Sequence, residues 1–531
     1  MTKKFIYEIK DFIKSENAIY CFISSLFFGM LSYIYFFTNN LNNYDNIAVT
    51  PSGYGTGTSS GRWFLSVLGD FIGEVWGNYN IPLFNGILSI LILAVTACMI
   101  NKIFKIKNKW LCALIGGITV AFPPIASAMF FSYTVGYYAL AIFFVVFGIF
   151  LIKEFKILGF ILGSLLFSFS LGIYQAYYPL CASIFILLLI KMCIDSRYEW
   201  KEIILTGFKF LFSLALGYIL YNLFLKYYLY IDNITLNSYQ GIDQMGKIDI
   251  SLLPTQLKEI FKSMIRLTFK DYLSISGTKI IQDSFLGLYI ITFIALVLKI
   301  INNILNKESI LKLILLAIFI VLLPIAINFI VIMVPAGSIY TLMQMGFVCI
   351  FYLTIILVDD LDLLNHKFSI LNKFSILNKF NINKILLGFT IAIVSIATVN
   401  YAWQTNGNYR ALYYANSQLE NYYQTLFTRI KSVEGYKQDM EICFIGTEID
   451  DKTFSNFKWD NTPFKYGGNG SPLNAYSRAS TIANYFGYSI IEIKKDSEEY
   501  KKYEKDIEKM DKYPNSDSIK IVDNKIFVRF E

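Results

Sequence analysis

In two stretches of this sequence, polar and ionisable residues recur at every fourth position. This repeat places side chains on one face of an α-helix. In GRWFLSVLGDFIGEVWG, residues 61–77, the polar stripe consists of Arg62, Ser66, Asp70 and Glu74. Apolar and aromatic residues fill most other positions, so we predict an amphipathic helix that lies along the membrane surface. Such a helix could simply anchor a loop. A stripe that mixes one cation with two carboxylates, however, suits a polar binding site better than plain lipid headgroups.

The second stretch is TQLKEIFKSMIRLTFKDYL, residues 255–273, in which Lys258, Lys262, Arg266 and Lys270 stand four apart. Apolar residues again fill the opposite face, which predicts a second interfacial helix. A cationic stripe at a membrane interface would attract the phosphate of a lipid or a substrate. Structural anchoring and phosphate binding explain this stripe equally well.

Aromatic and amide residues gather where the ends of predicted membrane spans should meet. They are Tyr133, Tyr137, Tyr138, Tyr174, Gln175, Tyr177, Tyr178, Tyr340 and Gln344. An interfacial tyrosine belt is the commonest explanation of such residues. Tyr174 and Gln175, however, lie in a tight turn between two spans, where a buried amide needs a partner. We therefore favour a polar pocket, with Tyr137, Tyr174 and Gln175 as candidate sugar-binding residues.

The elements that must position these residues are membrane helices. The 531-residue chain is 55% apolar and 17% aromatic but only 16% charged, which is typical of a polytopic α-helical membrane protein. A span needs about 20 apolar residues, and about eleven segments qualify. They lie near 17–37, 82–100, 110–131, 134–152, 157–174, 176–192, 203–225, 285–301, 312–334, 340–358 and 385–402.

Basic residues predict how these spans are oriented. If the spans alternate, about twenty lysines and arginines fall in connections on one side, whereas the connections opposite, apart from the long loop 226–284, hold little besides Arg62. The N-terminus is then cytoplasmic and the C-terminus extracytoplasmic. The net charge of +8 is explained by this bias and by attraction to the lipid bilayer, so it does not indicate nucleic-acid binding.

We predict two domains from this organisation. Residues 1–402 form the transmembrane domain, whose two long outer loops are 38–81 and 226–284. Residues 403–531 form a small extracytoplasmic α/β domain. The elements predicted in it are a helix at 408–433, a strand at 440–449 and a hairpin at 518–530 that turns at Asp523 and Asn524.

Several chemistries find little support in the sequence. GYGTGTSSG at 53–61 has neither of the common phosphate-loop spacings, and the single histidine, His366, falls on the predicted cytoplasmic side. DDLD at 359–362 contains a DxD of the kind that binds metal and nucleotide sugars, but its short loop leaves no room for a nucleotide-sugar domain. The seven cysteines form no evident disulfide or metal-binding pattern.

Taken together, several features of the chain resemble one known family. They are a cytoplasmic start, Asp45 soon after the first span, GRW at 61–63 before an interfacial helix, a YQ turn at 174–175, and DNKIFVRF at 523–530. This combination resembles the bacterial serotype-converting glucosyltransferases, which belong to the C-type membrane glycosyltransferases. The resemblance extends over nearly the whole chain.

Membership would imply a polyprenyl-phosphate hexose donor, typically undecaprenyl-phosphate glucose, used at the outer face of the bacterial cytoplasmic membrane. The acceptor would be a cell-surface polysaccharide or glycolipid. The resemblance also implies an acidic residue in the first outer loop near the reacting centre, and that residue here is Asp45.

The expected mechanism is inverting transfer in one displacement, with Asp45 accepting a proton from the acceptor hydroxyl or orienting it. Cations would stabilise the leaving phosphate, with Arg62 as the first candidate and Arg266 and Lys262 next. Asp70 or Glu74 would bind sugar hydroxyls or a divalent cation such as Mg²⁺ or Mn²⁺. The sequence gives no complete metal-ligand set, and no other cofactor is expected.

Two other functions fit a protein of this class. A transporter or flippase of lipid-linked oligosaccharide would tend to show internal repeats and charges at mid-membrane, and Lys209 is the main charge at that depth. A surface-polysaccharide polymerase or ligase would use a diphosphate-linked glycan as donor.

Overall fold

The computed structural model describes residues 14–49, 53–77, 79–244, 249–270, 275–334, 339–361, 382–447 and 475–531. Helices dominate these residues, and the strands all lie near the C-terminus. The helices are α1 (Glu16–Thr38), α2 (Tyr44–Val49), α3 (Trp63–Trp76), α4 (Pro82–Phe104), α5 (Lys109–Ala121), α6 (Pro123–Met129), α7 (Val135–Glu154), α8 (Ile157–Ile173), α9 (Tyr178–Ile194), α10 (Trp200–Ile231), α11 (Leu253–Phe269), α12 (Lys279–Leu305), α13 (Ile310–Ile327), α14 (Ile330–Met333), α15 (Cys349–Leu361), α16 (Ile382–Lys431), α17 (Ala475–Thr481) and α18 (Glu498–Ile507). The strands are β1 (Glu441–Ile445), β2 (Ile490–Ile493), β3 (Ile519–Val522) and β4 (Lys525–Arg529).

The polytopic helical architecture is confirmed. Among the described residues, eight helices are long and apolar enough to cross a membrane, or nine if α5 and α6 form one bent span. The bend of 43° falls at Pro123 and Pro124, where proline interrupts helix hydrogen bonding. The predicted count of eleven is not confirmed, because α8 and α15 have only 17 and 13 residues.

Glycines let neighbouring helices approach closely within the bundle. A Cβ at Gly163 on α8 would lie 2.7 Å from the carbonyl oxygen of Gly148 on α7. A Cβ at Gly116 on α5 would lie 2.3 Å from the carbonyl oxygen of Cys21 on α1. Small residues of this kind are typical of packed membrane helices, where they allow backbone contact.

The two ends of the bundle differ in chemistry. At one end, the DDLD residues Asp359 and Asp360 hold helix ends together. The Asp359 carboxylate accepts hydrogen bonds from the backbone N–H of Lys107 and Asn108, and Asp360 pairs with Lys191 at 3.3 Å. These contacts give both aspartates a structural role. At the other end lie the described residues between α1 and α4, together with the α6–α7 and α8–α9 connections.

Helix α16 runs without a break for 50 residues. At about 1.5 Å per residue it is roughly 75 Å long, more than twice the thickness of a bilayer core. The span predicted at 385–402 and the helix predicted at 408–433 are therefore one element, which passes through the predicted domain boundary at 402. The extracytoplasmic location of residues 403–531 remains a prediction.

The strands form one four-stranded sheet in the order β2-β1-β4-β3. The predicted strand and hairpin are confirmed as β1 and as β3 with β4. Asp523 and Asn524 form the hairpin turn with φ of 49° and 62°, the left-handed conformation that such two-residue turns require. Ile442 and Phe444 of β1 pack against the last turns of α16.

Candidate active site

The first loop is fixed to the bundle beside Asp45. After α1 the chain forms the short helix α2, in which Asp45 is followed by the buried Asn46. The Asn46 side chain donates a hydrogen bond to the carbonyl oxygen of Phe130 (2.7 Å) and accepts one from the backbone N–H of Ser132 (3.0 Å). These bonds attach α2 to the α6–α7 connection, so the position of Asp45 is set by the bundle.

Asp45 has the environment of a proton acceptor. It is half-buried, and burial raises the pKa of its carboxyl to about 6, while the nearby positive charge of Arg62 acts in the opposite direction. Within the described ranges, Asp45 makes no hydrogen bond through its carboxylate and no ion pair within 4 Å. A carboxylate with a pKa near neutrality and no engaged partner is suited to general-base catalysis.

Arg62 lies near Asp45, immediately before α3. Its Nη1 is 3.3 Å from Thr56 Oγ1 and 3.3 Å from the hydroxyl oxygen of Tyr138. Its guanidinium carbon lies 5.1 Å from the centre of the Tyr174 ring. Its Nε is buried and has no hydrogen-bond partner in the part of the chain that the structure describes. A partly buried cation whose Nε lacks a partner is a candidate anion site.

Four tyrosines, Tyr138, Tyr174, Tyr177 and Tyr221, surround Arg62, and we call them the tyrosine cluster. The rings of Tyr138 and Tyr174 stack with centroids 4.6 Å apart, and the Tyr177 ring lies 5.3 Å from that of Tyr174. The Tyr177 hydroxyl is buried without a hydrogen-bond partner among the described residues. The cluster thus combines aromatic faces with a buried hydroxyl whose hydrogen bonding is unsatisfied within the described residues.

Gln175 supports the turn that carries Arg62. Its Nε2 donates to the carbonyl oxygen of Ser60 (3.3 Å) and to the Tyr221 hydroxyl oxygen (3.1 Å), which in turn donates to the carbonyl oxygen of Gly61 (3.0 Å). The amide of the YQ turn therefore finds its partners in the GRW motif and Tyr221, whereas a polar pocket at this turn remains a prediction. The predicted contact of Gln175 with sugar remains a prediction.

Gly61 is the residue of this turn that tolerates least change. Its φ is +73°, and an added Cβ would lie 2.6 Å from Gln175 Nε2 and 2.8 Å from the Tyr221 hydroxyl. Gly61→Ala is expected to destabilise the protein by about 1–3 kcal/mol, because backbone strain and steric overlap act together. Thermal unfolding of the purified protein in detergent measures this effect.

The matched control is Gly407→Ala. Gly407 lies within α16, and nothing is found within 4 Å of where its Cβ would be. Alanine in a helix interior is favoured over glycine, so the control should unfold at the same or a higher temperature. Equal unfolding midpoints for the two variants would contradict the role given to Gly61.

Helix α3 has the predicted amphipathic character, but its polar stripe does not form one site. Arg62 faces the tyrosine cluster, whereas Ser66 Oγ accepts a hydrogen bond from the backbone N–H of Thr58 at 3.0 Å. The exposed Asp70 accepts one from the Tyr54 hydroxyl at 2.9 Å, and Tyr137 lies near this pair. Glu74 is exposed one turn further along.

The structure places Lys262 and Arg266 on helix α11. Both are exposed, and Arg266 forms an ion pair with Glu259 at 3.3 Å. Arg266 lines a cavity of about 160 Å³. The other residues lining it are Glu259, Ser263, Leu267, Asn328, Val331, Ile339, Thr341 and Gln344. Tyr340, beside Thr341, lies near Tyr174, so the segment around residue 340 adjoins both sites.

No group of three or more metal-binding side chains (His, Cys, Asp or Glu) is found in the described ranges. Asp70 and Glu74, the predicted candidates for a divalent cation, therefore belong to no three-ligand set of this kind there.

The chain matches a known family. A family model described as glucosyl transferase GtrII matches residues 34–351, which include Asp45, Arg62 and the tyrosine cluster but not α16 or the sheet. No curated protein and no solved structure shows significant similarity to the chain. The matched region is more than half of the sequence. The chain therefore belongs to the GtrII glucosyl transferase family.

Proposed function

We propose that this membrane glucosyltransferase moves glucose from a polyprenyl-phosphate donor to a cell-surface glycan, at the outer face of the bacterial cytoplasmic membrane. The observation that carries the proposal is the proximity of Asp45 to Arg62. The half-buried carboxyl has a pKa of about 6 and lies near, but not in contact with, a guanidinium that has an unused donor. A proton acceptor and an anion site are the two groups that glycosyl transfer from a phosphate requires.

The surroundings of Arg62 favour a donor attached to lipid. Arg62 lies among the ends of membrane helices, and the neighbouring helix α3 exposes Phe71, Val75 and Trp76. An exposed apolar face of this kind is suited to the boundary of a bilayer. A polyprenyl chain could remain in the lipid while its phosphate reaches the guanidinium.

In the proposed reaction, an acceptor hydroxyl oxygen attacks the anomeric carbon of glucose and gives its proton to Asp45. The bond between that carbon and the phosphate oxygen breaks, and polyprenyl phosphate leaves. Arg62 stabilises the negative charge that develops on the leaving phosphate. A single displacement of this kind inverts the anomeric configuration.

The remaining predicted residues fit this scheme as secondary contacts. Lys262 and Arg266 would attract the donor phosphate from the cavity beside α11. Tyr137, Tyr174 and Gln175 would contact sugar hydroxyls, as would Asp70 and Glu74 or a divalent cation between them. The N-terminus would be cytoplasmic and residues 403–531 extracytoplasmic.

A transporter is less well supported. Lys209, the charge at depth that could have served one, donates a hydrogen bond to the carbonyl oxygen of Ile152. That bond gives Lys209 a structural partner, and membership in a glucosyltransferase family favours an enzyme.

The test is donor specificity of the purified protein in lipid nanodiscs. Three labelled donors are offered with surface polysaccharide as acceptor: undecaprenyl-phosphate glucose, UDP-glucose and a diphosphate-linked glycan. We expect label to reach the polysaccharide only from undecaprenyl-phosphate glucose, because the lipid places the phosphate at the membrane. Transfer from UDP-glucose, or transfer of a glycan block, would contradict the proposed donor. Empty nanodiscs serve as the control.

A further inference from the structure

The C-terminal residues contact the loop that carries Asp45. Helix α17 packs on α2, and the rings of Tyr44 and Tyr476 meet nearly perpendicularly with centroids 6.5 Å apart. This contact joins a part of the chain outside the family match to the helix that holds the candidate base. The C-terminal region, meaning the second half of α16 with α17, α18 and the sheet, is thus next to the candidate site.

The contact is reinforced on both sides of Asp45. Before it, the backbone N–H of Asn42 donates to Asn416 Oδ1 (3.1 Å), and Asn42 Nδ2 donates to the Tyr485 hydroxyl oxygen (2.8 Å). After it, Ile47 is buried in a hydrophobic cluster with Leu419 of α16. The base therefore lies between two points where the loop is fixed to the C-terminal region.

Tyr476 is the residue of α17 that faces this site while remaining open to solvent. The residue is 67% exposed, and partial burial together with the nearby charge of Asp45 raises the pKa of its hydroxyl. Tyr133, which lies close to Asp45 and Arg62, is also near Tyr476. A solitary exposed tyrosine needs no explanation, but one whose ring adjoins a candidate base offers an apolar face to a bound sugar.

The two sides of Asp45 favour different substrates. On one side, Arg62 is enclosed by the tyrosine cluster at the ends of membrane helices, which suits a donor arriving from the bilayer. On the other side, Tyr476 belongs to the C-terminal region, which is not part of the family match at 34–351. Because Tyr476 reaches Asp45 from the side away from the membrane-helix ends, we assign that side to the second substrate.

We infer that the C-terminal region supplies the acceptor side of the site, and that Tyr476 stacks against a sugar ring of the acceptor glycan so that its hydroxyl reaches Asp45. This inference rests on the proposed function, because it takes Asp45 as the base. Stacking uses the ring face and not the phenolic hydroxyl, so phenylalanine should replace tyrosine with little loss.

The experiment compares Tyr476→Ala and Tyr476→Phe with Tyr414→Ala in the full-length protein in nanodiscs. Tyr414 is a surface tyrosine of α16 that is 48% exposed and serves as the matched control. The probe is fluorescently labelled surface polysaccharide, extracted from the host strain after deletion of this gene. Its binding is measured without donor, and transfer kinetics are measured with undecaprenyl-phosphate glucose.

We expect Tyr476→Ala to weaken polysaccharide binding by about tenfold, the size of one aromatic stacking contact. Tyr476→Phe and Tyr414→Ala should bind like the wild type. In transfer assays, Tyr476→Ala should raise the KM for polysaccharide and leave the KM for donor unchanged. Unfolding midpoints of all variants show whether Tyr476→Ala is folded, and the Phe variant tests the site independently of folding.

The possible outcomes test the inference separately from the proposed function. If the wild type does not bind polysaccharide, or if folded Tyr476→Ala binds it equally well, the inference is wrong even when glucose is transferred. If Tyr476→Phe loses binding as Ala does, stacking is also wrong. If binding depends on Tyr476 but no glucose moves from undecaprenyl-phosphate glucose, the proposed function fails and the glycan site stands.

Discussion

Asp45→Asn is expected to lower the rate of glucose transfer by about 100- to 10,000-fold, the usual contribution of a general base. Asparagine has nearly the same shape as aspartate but cannot accept the proton of the acceptor hydroxyl. The initial rate of transfer from undecaprenyl-phosphate glucose to surface polysaccharide, at saturating donor, measures the loss.

The pH dependence of this rate gives the same role a second test. Burial disfavours the charged form of Asp45, so its carboxyl, with a pKa of about 6, takes up a proton as the pH falls through that value. A protonated carboxyl cannot act as a base. The wild-type rate should therefore rise between about pH 5 and pH 7 and then level off, and the residual rate of the variant should lack this rise.

The control for this substitution is Asp283→Asn, which removes an exposed carboxylate paired with Lys279 one helical turn away. Exposed pairs of this kind contribute at most about 1 kcal/mol to stability, so the control should transfer at the wild-type rate. Near wild-type transfer by Asp45→Asn at normal expression would rule out the assigned role.

Arg62→Lys is expected to lower the turnover number by about 100-fold or more, comparable to the loss of one transition-state donor. Lysine keeps the charge but loses the planar group that lies beside Tyr174 with Nη1 near Thr56 and Tyr138 and Nε unpartnered. Because the phosphate charge grows as the bond breaks, the effect should be larger on kcat than on the KM for donor.

Arg410→Lys is the matched control, since Arg410 is an exposed arginine that contacts the ring of Tyr414. Its kinetics should equal those of the wild type. If Arg62→Lys kept the wild-type turnover number, the leaving phosphate would have to be stabilised elsewhere. Arg266, which lines the cavity beside α11, would then be the next residue to replace.

Hydropathy and local patterns predicted the elements well but not how they join. The four-residue repeat from Arg62 to Glu74 predicted α3, and Asp523 with Asn524 predicted the hairpin turn. The continuation of the span ending at 402 as α16 was not predicted, because a change from apolar to polar residues looks the same whether a helix ends or leaves the membrane. The short length of α15 was not predicted either. The 3₁₀ turns that precede it lie in the same apolar segment, so hydropathy does not distinguish them from the helix.

The candidate site was predicted in part. The structure brings Asp45 and Arg62 near one another, as the expected mechanism requires, and their roles remain predictions. Tyr137 was chosen over its neighbour Tyr138, but Tyr138 is the one that contacts Arg62. Adjacent helical residues point about 100° apart, and the sequence did not show which one faces inward. Tyr221 was missed because only its distant hydrogen bonds distinguish it from the other tyrosines of the chain.

Helix α16 restricts how this protein can change in length during evolution. Each residue added to a helix turns everything beyond it by about 100° and moves it by about 1.5 Å. A single-residue insertion near position 405, within the uninterrupted run from Ile382 to Lys431, would therefore swing the sheet and α17 around the helix axis, away from α2. Surface loops can gain or lose residues freely, whereas this helix must keep its register for the C-terminal region to meet the rest of the enzyme.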